Sequence, residues 1–377
     1  MGWSQHHPIG LIYEDVNQVY PGYTLVVTNS GLGAGADGNK YASLIDMSGQ
    51  ICHRWQCDEG ISYGQILANG HLLMRTWAPQ KGIDGEPMAG SSTAILELDW
   101  DSNIVWEYRN NALHHDFVRL ASGNTLVLLW EKLTQEETNK ITGGIFRDSD
   151  PDQMMADVIA EIGPQGQVIK KWYVKEFLDF EKDVICPLEG RHGWTHGNSL
   201  DVMPNGDILV SFRQINVIAI VDQSSGVAKW KWGPGDISHQ HDATHVGNGN
   251  VMIFDNGSHR FGVSYSRVLE INPVSNTIVW EYRGSPPIAF YSFNLGSAQR
   301  LPNGNTLICE GAPGRLVEVT KMGEIVWEYI SPFTVVSRTG TFTNAIFKAF
   351  RYAFDHAGFV GKNLDPVQYD GLNRMLN

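Results

Sequence analysis

The chain has 377 residues, of which 42% are hydrophobic, 11% aromatic and only 18% charged. With 40 glycines, this composition excludes a disordered or coiled-coil protein and is typical of a turn-rich globular fold. The net charge of −13 argues against general nucleic-acid binding, because contact with phosphates needs a basic face.

The first residues, MGWSQHHPIGLIYEDV, lack a basic segment followed by an apolar one, and no later stretch is apolar enough to span a membrane. We therefore expect a soluble, cytoplasmic protein. The four cysteines contain no C-x-x-C pair, which predicts free core thiols rather than a zinc knuckle or redox motif.

Two short patterns alternate along the chain. The first is a turn signal, Asn-Gly or Ser-Gly, between two apolar runs. It recurs as LANGHLLM (67–74), ASGNTLVLL (121–129), MPNGDILVSF (203–212), VGNGNVMIF (246–254) and LPNGNTLIC (301–309). Because both residues of each pair accept positive φ, we expect tight type I′ hairpins.

The second pattern is a strand that closes on tryptophan. It contains Trp55, Trp106, Trp172, Trp230, Trp280 and Trp327. The spacing, about 50 to 65 residues, is the length of a four-stranded propeller blade with its loops. These tryptophans are interpreted as outer-strand residues that seal one blade against the next.

Six copies predict an all-β, six-bladed β-propeller that occupies residues 1–335 as a single domain. The segment TNAIFKAFRYAFDHAG (343–358) has apolar residues at helical spacing, so residues 336–377 are expected to form a C-terminal helix and tail packed on the propeller. The polar segment 131–153 is expected to form a long loop at one rim, which is typical of a lid or binding element.

Histidines recur where the first strand of a repeat begins, in LHHDFVRL, GWTHGNSLDV and SHQHDATHV. His115 and His241 each precede their next turn glycine by a similar number of residues, and His196 lies slightly further from its own. Since innermost strands line the channel of a propeller, these side chains are expected to converge at one mouth.

Hairpin register adds partners to the three histidines. A turn centred on Asn205-Gly206 places Asn198 opposite Arg213 and makes His196 a diagonal neighbour of that arginine. The same arithmetic pairs His241 with Asn256 and His115 with Trp130. His114, adjacent to His115, remains an alternative for the first position.

Imidazoles beside a guanidinium favour binding of an oxyanion. Arginine offers a planar fork of donors that matches sulfate or phosphate, and histidine acts as acid, base or nucleophile near neutral pH. Clustered histidines also bind zinc, but the spacing lacks H-E-x-x-H or a Cys/His pair, and Arg213 would repel a cation. Neither a metal nor a cofactor is therefore expected.

The segments YPGYTLVVT, LHHDF…SGNTLVLLWE, WTHGNS…SFR, QHDATH…FDNG and NAIFKAFRY together resemble the arylsulfate sulfotransferase family of six-bladed propellers. The resemblance implies a bacterial enzyme that moves a sulfuryl group from a phenolic sulfate ester to a phenol. It implies His241 as the nucleophile that becomes sulfated, with His115, His196 and Arg213 holding the sulfuryl oxygens and assisting proton transfer.

The first hypothesis is thus an arylsulfotransferase-like enzyme with an aryl sulfate donor and a phenol acceptor, whose binding residues include Asn198, His114, Asn256 and Trp130. The alternative is a hydrolase or lyase that acts on a small aromatic or anionic substrate, with the same histidines as general acid and base. A non-catalytic propeller that binds proteins is disfavoured, because such surfaces need no charged cavity. The sequence leaves the oligomeric state open.

Overall fold

The structure is a computed structural model that describes residues 8–29, 39–77, 88–336 and 340–376. In these residues nearly all regular structure is β, and six sheets of antiparallel strands follow one another along the chain. Each has the up-and-down connectivity of a blade. The fold is the predicted all-β, six-bladed β-propeller, and a short helix lies near the C-terminus.

Twenty-nine strands and two α-helices lie within the described residues. The strands are β1 Gly10–Glu14, β2 Gly22–Val26, β3 Tyr41–Ile45, β4 Ile51–Gln56, β5 Ile61–Ile66, β6 Leu72–Thr76, β7 Ala94–Leu98, β8 Ile104–Arg109, β9 Leu113–Arg119, β10 Thr125–Lys132, β11 Gly143–Ile145, β12 Met155–Ile162, β13 Val168–Tyr173, β14 Ile185–Gly190, β15 Gly197–Val202, β16 Ile208–Phe212, β17 Val217–Val221, β18 Ala228–Trp232, β19 His241–His245, β20 Val251–Asp255, β21 Arg267–Asn272, β22 Thr277–Arg283, β23 Ser297–Arg300, β24 Thr306–Glu310, β25 Arg315–Val319, β26 Ile325–Ile330, β27 Val335–Val336, β28 Phe342–Thr343 and β29 Phe350–Ala353. The helices are α1 Gln135–Lys140 and α2 Asp370–Leu376.

The chain divides into two compact units. The first comprises Met1–Pro79, Ala94–Tyr108 and Asn294–Asn377. Its sheets have the strand orders β29-β2-β3-β4, β5-β6-β7-β8 and β1-β26-β25-β24-β23. The second comprises Gln80–Thr93 and Arg109–Phe293, and its sheets have the orders β9-β10-β12-β13, β15-β16-β17-β18 and β19-β20-β21-β22.

Burial within a blade follows the hydrophobic pattern of each strand. The two central strands are covered on both faces and read as continuous apolar runs, such as ILVSF in β16 and VIAIV in β17. The fourth strand β18 of the same blade alternates instead, with AKWKW half-buried and exposed in turn. The core therefore lies where the second and third strands of one blade pack against the neighbouring blade in the same unit.

The turn type predicted for the hairpins is wrong. At 203–207 the Met203 N–H donates to the Asp207 carbonyl at 2.8 Å, and the Gly206 N–H donates to Met203 at 2.8 Å. Only Gly206 of the Asn-Gly pair has positive φ, at 90°. The loop therefore has three residues and ends in a glycine bulge, which shifts the strand register by one residue from that of a two-residue turn.

All six tryptophans lie on the fourth strand of a blade, and the predicted structural role is confirmed for the three that are buried, Trp55, Trp172 and Trp327. Within the first unit, Trp55 Nε1 donates to the Asp99 carbonyl of the next blade at 3.1 Å. Within the second unit, Trp172 Nε1 donates to the Gln223 carbonyl at 3.1 Å, again across a blade boundary. The indole thus buries its ring and satisfies its N–H in the turn of the following blade.

The helix predicted over 343–358 is wrong. Residues Phe350–Ala353 form β29, which pairs with β2 and places Phe350 opposite Leu25. Three of the four residues of β29 are half-buried, and Arg351 is buried. The C-terminal helix is α2, which begins at Asp370.

The segment 131–153, which was predicted to form a long loop, contains short regular elements. It contains α1, which begins with a capping box between Thr134 and Glu137, and β11, which pairs in parallel with β14. All four cysteines are buried free thiols, as predicted. Among the described helices, none is long and apolar enough to cross a membrane.

Candidate active site

The first strands of the three blades in the second unit are tied side by side. The Leu200 N–H of β15 donates to Asp116 Oδ2 of β9 at 2.8 Å. The Ala243 N–H of β19 donates to Ser199 Oγ of β15 at 2.8 Å. Polar side chains on consecutive strands therefore fix the spacing of the three segments that carry the predicted histidines.

A bulge interrupts each of these first strands. The pairing register shifts in the β9–β10, β15–β16 and β19–β20 ladders, and His115, His196 and Asp242 have φ of 45°, 55° and 56°. Positive φ is uncommon for residues other than glycine, and a bulge re-aims the side chains beside it. The bulges turn the histidines out of the ladder toward one another.

His115 and His196 lie together, with their ring centroids 4.6 Å apart. The His115 N–H donates to the Gly90 carbonyl at 2.9 Å, and the ring lies against Gly90, where a side chain would collide with it. Trp130 lies edge-on to both rings, with centroids 6.2 Å from each. Two imidazoles from consecutive blades thus share one apolar wall.

His114 occupies a different place from His115. Its ring stacks on Trp130 at 3.8 Å, and its Nε2 lies 3.2 Å from Asp157 Oδ1. Asp157 Oδ2 also accepts from Thr195 Oγ1 at 2.5 Å and from the Gly197 N–H at 2.6 Å. His114 is fully buried in this network, whereas His115 faces His196.

The predicted pairing of His115 with Trp130 is wrong at the level of the backbone. The Trp130 N–H donates to the Ala112 carbonyl, and β10 pairs Leu128 with His114. The predicted opposition of Asn198 and Arg213 is also wrong, because Gly197 faces Phe212 and Asn198 falls in the bulge. The one-residue error in turn length and the bulge in each first strand together account for both.

Asn198 bridges two blades. Its Nδ2 donates to the Gln240 carbonyl at 2.8 Å, and Gln240 Nε2 in turn donates to Ser211 Oγ at 3.0 Å. Both side chains are fully buried. Asn198 therefore positions the residue directly before His241.

Arg213 lies beside His196, as the sequence predicted. Its N–H donates to the His196 carbonyl at 3.1 Å. Its guanidinium is already paired, with Nη1 2.8 Å from Glu189 Oε1, and Glu189 carries no motif that marked it in the sequence. The positive charge of Arg213 is therefore partly balanced by a carboxylate.

The pKa of His196 lies well below its usual value. Desolvation by the surrounding protein is the largest cause, and the charge of Arg213 is the next. Smaller contributions come from His241, His114 and His239. His196 is therefore a neutral imidazole near pH 7, so Arg213 is the cationic member of this pair.

His241 is held by a chain of two hydrogen bonds. Its Nδ1 lies 2.7 Å from Asn256 Oδ1, and Asn256 Nδ2 donates to the Ser292 carbonyl at 2.8 Å. A carbonyl oxygen can only accept, so the amide nitrogen of Asn256 must face the Ser292 carbonyl and the amide oxygen must face His241. The Nδ1 atom of His241 must therefore carry the proton. The Nε2 atom of His241 then keeps its lone pair.

The sequence predicted this pair, although His241 faces Phe254 in the ladder rather than Asn256. The bulge at Asp242 and the end of β20 bring the two side chains together. Both His241 and Asn256 are buried.

A second group of side chains was missed in the sequence. Cys186, His239 and His259 lie close together, and Glu189 Oε1 is 3.3 Å from His239 Nδ1. These residues come from β14 and from the segments that flank β19 and β20. No local spacing links them, because the chain brings them together only through the blades.

The fold and the site define a β-propeller in which consecutive blades bring buried histidines, one arginine and a hydrogen-bonded His–Asn pair together. A family model described as Arylsulfotransferase (ASST) matches residues 88–332 of the chain. The chain therefore belongs to the arylsulfotransferase family, and this membership supports a sulfotransferase-like function.

Solved structures with the same fold are distant in sequence. A protein of unknown function from Bacteroides caccae has a TM-score of 0.56 and 15% identity, over 88% of this chain and 98% of that one. A streptogramin B lyase has a TM-score of 0.47 and 11% identity, over 91% and 97%. Virginiamycin B lyase from Staphylococcus aureus has a TM-score of 0.45 and 12% identity, over 86% and 88%.

At these identities the likeness concerns the fold alone. No curated protein matches the chain.

Proposed function

We propose that the protein transfers a sulfuryl group from a phenolic sulfate ester to a phenol through a sulfated His241. The observation that carries this proposal is the Ser292–Asn256–His241 chain of hydrogen bonds, which fixes the imidazole tautomer with a lone pair on Nε2. A neutral imidazole with a fixed tautomer is a competent nucleophile without prior deprotonation. Membership of the arylsulfotransferase family supports the same class of reaction.

In the first half-reaction, the lone pair of His241 Nε2 attacks the sulfur of the donor ester. An S–N bond forms, the bond between sulfur and the phenolic oxygen breaks, and the phenolate leaves with that electron pair. Arg213 and the N–H groups of His115 and His196 are proposed to donate to the sulfuryl oxygens and the leaving oxygen, where charge accumulates.

In the second half-reaction, the hydroxyl oxygen of the acceptor phenol attacks the same sulfur. The S–N bond breaks, its electrons return to Nε2, and the acceptor gives up its proton. A neutral His196 suits this step, because it has a free acceptor position for the proton at neutral pH. Trp130 is proposed to wall the aryl ring, with His114 stacked behind it to hold the indole in place, and Asn198 and Asn256 to position the segment around His241.

The test uses 4-nitrophenyl sulfate without an acceptor. The wild-type chain should release one nitrophenolate per active site in a rapid burst and retain one sulfuryl group, detected by intact-protein mass spectrometry. His241→Ala should abolish both signals. Arg213→Ala should slow the burst about 100-fold, the usual effect of losing one oxyanion donor.

The matched control is His245→Ala. His245 lies at the opposite end of the same strand and pairs with Asp201 at 2.9 Å rather than with Asn256. It should keep the burst. A full burst in His241→Ala would refute the nucleophile, and steady release that needs no acceptor and leaves no adduct would indicate hydrolysis instead.

A further inference from the structure

Cys186, His239 and His259 form a three-residue cluster beside Arg213, outside the residues used in the proposed transfer. One potential ligand atom from each lies within 4.8 Å of the other two. The Cys186 sulfur is 3.5 Å from His259 Nδ1. In a tetrahedral zinc site, a Zn–S bond of about 2.3 Å and a Zn–N bond of about 2.05 Å put sulfur and nitrogen about 3.6 Å apart.

His239 is the most informative member of the cluster. Its side chain is fully buried, and within the part of the chain that the structure describes neither ring nitrogen makes a hydrogen bond. Burial lowers the pKa of His239 to about 2, with the charge of Arg213 as the next cause. The ring is therefore neutral and offers a lone pair. A buried polar group without a hydrogen bond is costly, and coordination of a cation would satisfy it.

The carboxylate of Glu189 reduces the repulsion between Arg213 and a cation bound at the cluster. Its Oε1 lies 2.8 Å from Arg213, 3.3 Å from His239 Nδ1 and 4.0 Å from His259 Nδ1. The carboxylate thus stands between the guanidinium and the cluster. One thiolate and one carboxylate together offset most of the combined charge of a divalent ion and Arg213.

We propose that Cys186, His239 and His259 bind a Zn²⁺ ion, with Glu189 beside it as fourth ligand or as the partner that orients it. A set of one sulfur and two imidazole nitrogens suits zinc better than magnesium or calcium, which prefer oxygen. On binding, the Cys186 thiol loses its proton to solvent and the sulfur coordinates as thiolate. The site goes beyond the proposed transfer reaction and does not depend on it.

The experiment uses the full chain, first freed of metal with a chelator, and Co²⁺ as a spectroscopic probe for the zinc position. Titration should produce an absorption band from thiolate-to-Co²⁺ charge transfer that saturates at one ion per chain. Added Zn²⁺ should displace the Co²⁺ and remove the band. Cys186→Ser should lose the band while it keeps the circular dichroism spectrum of the wild type.

His259→Ala tests the imidazole ligand at a position where the side chain is 33% exposed, so that the fold tolerates truncation. Its affinity for Co²⁺ should fall by at least about 100-fold, because loss of an outer partner alone costs about 10- to 100-fold. His245→Ala is the matched control, since its side chain is 32% exposed and pairs with Asp201. It should bind Co²⁺ as the wild type does.

Failure to obtain a thiolate band in the wild type, or an unchanged band in His259→Ala, would overturn the metal site. Neither measurement contains a sulfate ester, so these outcomes leave the transfer proposal standing. Conversely, a missing nitrophenolate burst with an intact Co²⁺ band would refute the sulfated His241 and keep the metal site.

Discussion

Replacing Asn256 with Leu removes the hydrogen-bond acceptor of His241 while nearly preserving side-chain volume. Asn256 is fully buried, and its Oδ1 is 2.7 Å from His241 Nδ1. The substitution also removes the Asn256 Nδ2 donor to the Ser292 carbonyl, because the Ser266 hydroxyl, which has a single proton, lies closer to the Asn256 carbonyl, at 2.8 Å, than to that of Ser292, at 3.3 Å. Losing a buried hydrogen bond costs about 1–3 kcal/mol.

If that energy now holds the reactive tautomer and ring orientation, the burst rate constant should fall about 5- to 150-fold, at about 1.4 kcal/mol for each factor of ten. Stopped-flow release of nitrophenolate from 4-nitrophenyl sulfate measures the rate constant, and its dependence on ester concentration separates chemistry from binding. Ester affinity should change little, because Asn256 acts through His241. Asn256→Asp keeps an acceptor for the Nδ1 proton and should recover part of the rate.

Asn373→Leu is the control for loss of stability. Asn373 is also buried and also bonds to backbone, since its Oδ1 accepts from the Ile51 N–H at 2.8 Å, but it lies on α2 in the other unit. It should lower the melting temperature and leave the burst unchanged. A burst in Asn256→Leu within about twofold of the wild type would refute the positioning argument.

Two further predictions concern charge. Glu189→Gln removes the negative partner of Arg213, so the KM for 4-nitrophenyl sulfate should fall about fivefold, as expected for about 1 kcal/mol in a partly exposed pair. An unchanged KM would contradict competition between Glu189 and the ester for Arg213. Burial lowers the pKa of His53 from 6.5 to about 4, so the unfolded chain binds a proton that the folded chain excludes. The free energy of unfolding should therefore fall by up to about 3 kcal/mol as pH drops from about 6.5 to about 4. In urea denaturation at a series of pH values, His53→Phe should show a smaller fall over this range. Parallel pH curves for the wild type and the variant would show that His53 contributes nothing.

The blade repeat was predictable because its signals are local. In five blades the turn between the first two strands contains a glycine with positive φ, and the fourth strand of every blade carries a tryptophan. Both signals therefore recur along the chain. A single sequence therefore shows the architecture without any knowledge of distant contacts.

The register was not predictable to the residue. An Asn-Gly pair serves a two-residue turn and a three-residue turn with a glycine bulge alike, and only the latter forms at Gly206. The bulges at His115 and His196 are set by contacts between strands of different blades. A prediction from local pattern therefore identified the correct histidines and misplaced Asn198 and Trp130.

The C-terminal strand shows tertiary context overriding local pattern. Phe350 and its neighbours have spacing compatible with a helix, yet they pair with β2 at the opposite end of the sequence. Strand pairing satisfies the backbone along the edge of that sheet. The partner is too distant in sequence for any window to reveal.

Glu189 changes the electrostatic interpretation of the site more than any residue that the sequence singled out. It pairs with Arg213, and His196 is neutral, so the group as a whole carries little net positive charge. A sulfate ester would have to share Arg213 with Glu189, so binding cannot rest on bulk attraction to a cationic pocket. In the proposed reaction, the sulfuryl oxygens instead meet N–H donors on imidazole rings that the blades hold in place. Such donors need no reorganisation as charge develops, which is the condition under which electrostatic catalysis is most effective.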